Sequence, residues 1–433
     1  MEKADYSELQ GKKLLVVGSE ETDSCIVRTA QSMGIYVIAV DGTKTSLKTK
    51  AKLAADESWD IDYREKETIA QKCREAHVDG VIAGYSENRV LAACRIAKAI
   101  GTPFYASEEQ IEFTRNKRKF KEACSRNGVC VPREYCVNGV PDDKEIDGVA
   151  LPVIIKPSDS AGRKGITICW KREEVASAVK RAMDASMTGT IVMEEYVEGI
   201  EFCAVYSLQD GHYSLSYFCD KYVNQALPKS GLCDLSFSPS RYLPKYLESC
   251  DQPLRRMMKE LEMNDGVAYY QGIINNDGCW VFEMGYRLNG GNDCVQIEKV
   301  NGVNYMKMLI SHSLTGRMIG DLKLDNPMPS RCFGVLSLYA NGGEVKNISY
   351  TGEANHGGVE DVGIYKVQGS VIKADGSTLQ LAFRFKLSAG TPKELADLIE
   401  YVQEHAIIVD VEGKDMILCR FDVNRLLNRQ RVL

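Results

Sequence analysis

The sequence lacks the cysteine and histidine spacings that build metal centres. None of its 15 cysteines lie three apart, and the closest, Cys124, Cys130 and Cys136, are separated by six. Only 5 histidines accompany them and no His-Glu-x-x-His occurs, which argues against a cysteine–histidine zinc site. An odd number of scattered cysteines fits reduced, mostly buried thiols in a reducing cytosol rather than a disulfide framework. No apolar run approaches the ~20 residues of a membrane-spanning helix. The N-terminus, Met1-Glu2-Lys3-Ala4-Asp5, carries acids where a secretory signal needs an apolar core. A cytoplasmic protein without membrane partners is expected. An excess of positive charge is also missing, since 60 acidic and 54 basic residues leave a net charge of -6. Nucleic-acid binding driven by overall charge is therefore disfavoured, although a local basic cleft is not.

What is present suits a soluble globular chain. Hydrophobic residues make up 44% and charged residues 26% of 433 positions, which excludes disorder. At roughly 150 residues per domain, about three domains are expected. The first hundred residues alternate short apolar runs with helical spacing. Lys13 to Val17 reads as a strand ending at Gly18, and Thr22 to Met33 as a helix. Ile35 to Val40 is a second strand, Lys66 to Ala76 a helix, Val78 to Ala83 a strand and Glu87 to Ile100 a helix. Such alternation predicts parallel βαβ units. Ligands of such sheets sit at the carboxyl ends of strands, which singles out the loops Gly18-Ser19-Glu20 and Gly84-Tyr85-Ser86-Glu87. A dinucleotide fold is excluded on chemistry. The first turn, Val17-Gly18-Ser19-Glu20-Glu21-Thr22, has one glycine instead of three and two carboxylates where a pyrophosphate would sit.

Farther along, Thr114 to Arg126 is a basic helix candidate, and Leu151 to Ile155 a strand. Strands are expected at Gly165 to Cys169, Thr190 to Glu194 and Glu201 to Leu208, with helices at Arg172 to Asp184 and Gln252 to Glu262. Val267 to Ile274 and Cys279 to Met284, joined by Asn275-Asn276-Asp277-Gly278, carry a strong hairpin signal. After Asp321 the pattern shifts to short strands around a helix at Pro392 to His405, with Asn341-Gly342-Gly343 read as another hairpin turn.

Four blocks carry chemistry. Lys117 sits on the basic helix, followed by Phe120 and Lys121 at helical spacing. Lys156 ends a strand and precedes a loop of small residues, Ser158 to Gly165, whose backbone N–H groups could cradle an anion. Glu194-Glu195-Tyr196-Val197 and Glu201 lie at a strand–turn–strand junction. Glu283 ends the hairpin and Arg287 follows it. Taken singly, each has a plain alternative: a solvated basic face, exposed hairpin acids, a structural ion pair. Taken in order, the four blocks resemble the ATP-grasp superfamily, in its carbamoyl-phosphate-synthetase-like and biotin-carboxylase-like branch, which includes L-amino-acid ligases.

The resemblance implies an α/β and α+β fold in three parts. These are a parallel-sheet pre-ATP-grasp domain over residues 1–113, an ATP-grasp domain over 114–320 with a lid at about 127–194, and a C-terminal α+β domain over 321–433. It implies ATP and Mg2+ as cofactors, with Mn2+ able to substitute. Lys117, Lys156 and the loop residues Ser158, Ser160, Gly162 and Gly165 would meet the phosphates. Glu194 would lie near the adenine amino group, the backbone of Glu195, Tyr196 and Val197 along the adenine edge, and Glu201 on the ribose. Glu283 would bind the metal and Arg287, with Lys156, would serve catalysis.

Two positions depart from the family pattern. Gly285 stands where the superfamily's strand end has an asparagine metal ligand, and Gln271 where a second acid is common. Gln271 and Asn289 are the expected substitutes, since amide oxygens bind hard cations without adding charge. The implied activity is ligation of a small carboxylate, such as an amino acid, to an amine through an acyl phosphate. A bicarbonate-activating enzyme and a non-catalytic nucleotide-binding protein are the alternatives. The implied partners are small-molecule carboxylate and amine substrates, with a homodimer left open. Asp220, Lys221 and Arg241 are further candidates for holding a charged substrate.

Overall fold

The structure is a computed structural model describing residues 5–47, 49–158, 165–227, 231–291, 294, 297–298, 302–353 and 356–430. Ser160 and Gly162 fall outside the described residues.

Near the N-terminus, β1 (Lys13–Val17), β2 (Tyr36–Val40), β3 (Glu57–Trp59) and β4 (Gly80–Ile82) form a parallel sheet in the order β3-β2-β1-β4. Leu14 to Val17 are fully buried, as expected of a strand covered on both faces by crossover helices. The helices Glu21–Ser32 and Glu87–Ile100 start at the carboxyl ends of β1 and β4, so the two loops singled out in the sequence lie on one edge. The helix Tyr305–Thr315 packs against β4. A Cβ at Gly80 would come within 2.2 Å of the Ser313 carbonyl oxygen, so this approach requires glycine. The expected basic helix from Thr114 to Arg126 is broken. Asn116 adopts an extended backbone, ends the helix Glu108–Arg115 and caps the helix Lys117–Asn127 by accepting from the Lys119 amide at 3.1 Å.

A small antiparallel sheet, β5-β8-β6-β7, follows, made from β5 (Glu134–Gly139), β6 (Val153–Pro157), β7 (Thr167–Cys169) and β8 (Ile191–Glu195). The helix Arg172–Ala185 covers one face, and the apolar cluster beneath it, including Val153, Ile155, Val175, Ala178 and Met193, is separate from the main core. The main core joins residues from Leu9 in the N-terminal region to Met318, leaving out the small sheet.

The largest sheet contains β9 (Ile200–Gln209), β10 (His212–Val223), β11 (Cys233–Ser238), β12 (Gly266–Ile274) and β13 (Cys279–Gly285). Farther along come β14 (Cys332–Tyr339), β15 (Gly343–Tyr350), β16 (Val359–Ile364), β17 (Val371–Ile372), β18 (Leu381–Ala389) and β19 (Ala406–Asp410). The order β13-β12-β9-β10-β11-β14-β18-β16 makes one eight-stranded sheet that passes through the expected boundary at residue 320. The β12–β13 hairpin forms as read, with Asn275 Oδ1 accepting from the amides of Asp277 and Gly278. The Asn341-Gly342-Gly343 turn does not join a hairpin. β14 stays in the large sheet while β15 crosses to a small sheet with β17 and β19, because Leu336 and Leu338 face the core beneath β11 and β18. No described helix is long and apolar enough to cross a membrane.

Candidate active site

The small sheet, the helix Lys117–Asn127 and the β12–β13 hairpin converge on one charged cleft. At its centre is Glu194 on β8, only 2% exposed. Lys121 reaches one of its carboxylate oxygens and Lys156, from the adjacent β6, reaches the other. Lys121 also contacts Glu134 on β5 at 2.6 Å. Burial would push the Glu194 carboxyl up, but Lys156 and Lys121 outweigh it and hold it at about 2. Glu194 thus anchors two lysines, and the Lys156 ammonium is engaged by it. Lys156 also stands 6.0 Å from the Phe282 ring, beside Glu283.

Lys117 is different. It opens its helix at the end where backbone N–H groups point outward and a cation is disfavoured. Among the described residues it has no hydrogen bond or ion pair. Burial, then repulsion from Lys156, pull its pKa down, against weaker support from Glu283 and Glu194. A half-buried cation and a helix N-terminus without an anion between them form a site for one.

The ends of the 158–165 loop are fixed. Ser158 Oγ lies 2.6 Å from Thr190 Oγ1, so its hydroxyl is held against the base of β8. Gly165 adopts φ +78° and a Cβ there would meet Ala185 and Pro157 at 2.7 and 2.8 Å, which explains the glycine. Past β8, the Glu195 and Tyr196 amides donate to the Arg133 and Pro152 carbonyls at 2.8 and 3.1 Å. The amides of Glu195 and Tyr196, two of the three residues whose backbone is expected along an adenine edge, are thus spent within the small sheet. The Val197 amide has no partner among the described residues. Glu201 pairs across the strands with Lys221 at 3.6 Å, which removes Lys221 as a free substrate cation. Asp220 is buried and accepts from Ser240, and Arg241 lies on the Tyr242 ring.

On β13, Glu283 is exposed and stands opposite Gln271 on β12. No group of three His, Cys, Asp or Glu side chains among the described residues is placed to hold a metal. Asn289 is buried, and its oxygen accepts from the Tyr305 hydroxyl at 3.4 Å, so the expected substitute oxygen is engaged. Gly285 faces Tyr269 in the hairpin register, and a Cβ there would lie 2.4 Å from the Tyr269 ring. The tyrosine occupies the space an asparagine would need. An exposed carboxylate beside an amide oxygen still fits magnesium, which keeps several waters and binds through one or two carboxylates plus substrate phosphates.

Arg287 is tied to Glu87, in one of the two loops singled out at the parallel sheet: its Nε donates to Glu87 Oε1 at 2.7 Å. Its guanidinium also lies 5.0 Å from the Tyr269 ring centre and donates to the Leu288 carbonyl at 2.8 Å. Burial disfavours the charge, but Tyr269 and Glu87 outweigh it and raise the pKa. Glu283 is the acid within electrostatic reach of both Lys117 and Arg287.

Sequence reasoning thus placed Lys117, Lys156, Glu194, Glu283 and Arg287 in one region, but it missed three partners. Lys121 was legible as the residue one turn from Lys117. Glu87 was legible only as a loop position. Tyr269 carried no signal beyond its bulk opposite a glycine.

The family model for the ATP-grasp domain matches residues 149–295. The carbamoyl phosphate synthase large chain of Rubrobacter xylanophilus is 23% identical over 279 residues, 62% of this chain and 26% of that protein. The 2-oxoglutarate carboxylase small subunit of Hydrogenobacter thermophilus is 29% identical over 211 residues, 44% of each. The chain therefore matches less than half the length of these curated relatives. Among solved structures, the L-amino acid ligase from Bacillus licheniformis superposes with a TM-score of 0.76 at 16% identity, covering 93% of this chain and 99% of that one. The biotin carboxylase domain of the Hydrogenobacter thermophilus 2-oxoglutarate carboxylase does so with 0.75 at 20% identity, covering 92% and 91%. The chain carries an ATP-grasp domain, set in the fold of the ATP-grasp ligases.

Proposed function

We propose that the chain is an ATP-dependent ligase that activates a small carboxylate as an acyl phosphate and passes the acyl group to an amine. The observation that carries this reading is Lys117: an ammonium with no counter-ion at a helix N-terminus, beside Lys156, suits a polyphosphate. The Val197 amide would meet the adenine edge and Glu201 the ribose. Residues 127–194 would act as the lid, its separate core allowing it to move against the body. The related Hydrogenobacter domain was solved with MgADP and bicarbonate.

In the reaction, a carboxylate oxygen attacks the γ-phosphorus and the bond to the bridging oxygen of ADP breaks. The amine nitrogen then attacks the acyl carbon, and phosphate leaves with the proton. Lys117 and Lys156 would hold the phosphates and spread their charge, with Lys121 keeping Glu194 neutralised when Lys156 turns to the nucleotide. Arg287, oriented by Glu87, would face the acyl phosphate. Glu283 and Gln271 would hold magnesium, which would supply positive charge to the phosphates. The lid would exclude water from an intermediate that hydrolyses readily.

A second reading, nucleotide binding without turnover, is favoured by Gln271 and by the Tyr269 ring over Gly285. One experiment separates them: ATP consumption and product mass spectrometry with pooled amino acids, amines and bicarbonate, beside calorimetry with ADP with and without magnesium. Ligase activity predicts a product that appears only when a carboxylate and an amine are both present. A carboxylated product from bicarbonate would move the reading to the carboxylases. ADP binding with no product from any pool would establish the second reading.

A further inference from the structure

Tyr269 and Gly285 stand opposite each other in the β12–β13 hairpin, and Gln271 stands opposite Glu283 two residues along. Cross-strand pairs, and residues two apart on a strand, share a face. The Tyr269 side chain therefore issues from the same face as the two candidate metal oxygens. It then crosses the glycine. A Cβ at Gly285 would lie 2.4 Å from Tyr269 Cε1, 2.5 Å from Cζ and 2.7 Å from the hydroxyl oxygen. The outer end of the ring thus lies over the edge strand, and the phenol oxygen takes the ground where an asparagine side chain would begin.

The ring is held and its hydroxyl is not. Tyr269 is only 4% exposed, and the guanidinium of Arg287, itself fixed by Glu87, stands 5.0 Å from the ring centre. Tyr105, Tyr206 and Tyr286 all place their hydroxyls on acceptors: the Tyr286 carbonyl, the Asp251 carboxylate and the Asp265 carbonyl. The Tyr269 hydroxyl has no hydrogen bond among the described residues. Tyr270 is also unpaired, but as the next residue on the strand it points to the opposite face and its hydroxyl is sealed in the core. Tyr269 looks out beside the exposed Glu283. Burial raises its pKa, Arg287 opposes that, and Glu283 and Glu87 add to it, so arginine and acid both act on the phenol. A rigid ring that carries an unused donor between these groups is preorganised for an anionic oxygen.

We propose that Tyr269 is a catalytic residue, whose hydroxyl donates a hydrogen bond to a non-bridging oxygen of the phosphoryl group as it passes from ATP to the carboxylate. The assignment rests on the ligase reading above. The phenol keeps its proton throughout, and the bonds that form and break are those already given. Charge that builds on the phosphoryl oxygens meets the Tyr269 donor on one side and Arg287 on the other. Tyr269 and Gly285 together thus replace a metal-side amide oxygen with a donor aimed at the phosphoryl group itself.

The test is Tyr269→Phe, which removes the oxygen but keeps the ring over Gly285 and against Arg287. Calorimetry on the full chain with MgADP alone, and with MgADP plus aluminium fluoride, separates ground-state binding from binding of a mimic of the phosphoryl group in transfer. MgADP affinity and melting temperature should stay at their wild-type values, while the extra affinity conferred by fluoride should fall roughly tenfold. With the carboxylate and amine pair found by product analysis, kcat should fall by a similar factor and KM for ATP should not change. Tyr270→Phe is the control and should alter none of these readings. Fluoride-dependent affinity or kcat equal to wild type in Tyr269→Phe would overturn the donor role. A joint fall in MgADP affinity and melting temperature would make the residue structural and overturn it too. A raised magnesium requirement with the fluoride effect intact would assign the hydroxyl to the metal instead. Failure of wild type to bind MgADP would overturn the ligase reading itself.

Discussion

The basic half of the cleft, around Lys117, Lys121 and Lys156, and the acidic half, around Glu283, lie within electrostatic reach of each other but are built differently. In the basic half, Glu194 and Glu134 balance Lys121 and Lys156, while Lys117 is left over. In the acidic half, one exposed carboxylate stands beside a glutamine, and a tyrosine ring fills the place of a further ligand. The excess cation is kept at a cost to folding, which makes sense only if an anion arrives. The acidic half carries the minimum a magnesium ion needs when phosphates supply the rest. On the proposed reading, the basic half would hold the nucleotide and the acidic half the metal.

The largest effect should come from breaking the matched pair. Glu194→Gln leaves two lysines facing each other in a buried site and should cost about 3–5 kcal/mol of stability, read by urea denaturation. The pH dependence has a definite sign. The Glu194 carboxyl is held at about 2, below the 4.5 of the unfolded chain, so its stabilisation is complete above pH 4.5 and is lost as pH falls through 2. Glu194→Gln should flatten that part of the stability profile, and an unchanged profile would contradict the matched cluster.

Next comes the acidic half. Glu283→Gln should lower magnesium-dependent turnover by about 10²–10³-fold, the usual loss for one electrostatic stabiliser. ADP binding without magnesium should not change. Full activity at ordinary magnesium would remove the metal assignment.

Lys117→Ala should weaken ATP binding by roughly tenfold to a hundredfold, measured by calorimetry. Its melting temperature should stay equal or rise, because an unpaired cation leaves the positive end of a helix. A fall in both affinity and stability would mean that Lys117 has a structural partner after all.

The smallest effect concerns Gly285. At Gly285 the obstacle to an asparagine is the Tyr269 ring. Gly285→Asn alone should overpack the hairpin by about 1–3 kcal/mol. Tyr269→Ala with Gly285→Asn should relieve the clash, at the cost of the ring's own buried packing, and lower the magnesium concentration needed for half-maximal turnover. No change in magnesium dependence would show that position 285 does not face the metal.

Much of the fold was legible because the patterns are local. The β1 run, the helix Glu87–Ile100 and the Asn275–Gly278 turn each announce themselves within a dozen residues. What was not legible depends on long-range pairing. Asn341-Gly342-Gly343 has hairpin chemistry, but the strands on either side find better partners elsewhere. Asn116 breaks a continuous basic pattern because its side chain competes for the Lys119 amide. In the cleft, residue types marked the positions of Lys156 and Glu194, but not that they neutralise each other. The two residues are 38 apart in sequence and meet only through the β6–β8 pairing.

The eight-stranded sheet has a consequence for dissecting the chain. Leu235 to Ser238 on β11 are hydrogen-bonded to Leu336 to Phe333 on β14, and Tyr222, Leu235 and Phe237 pack into the same cluster as Phe383 and Leu395. Truncation after Gly320 would not release a self-sufficient fragment. It would bare a strand edge with unpaired backbone groups beside exposed aromatic side chains, a template for self-association. The C-terminal region thus acts as the edge protection of the sheet that carries the hairpin, so the shortest fragment that stays dispersed in solution must reach through β18.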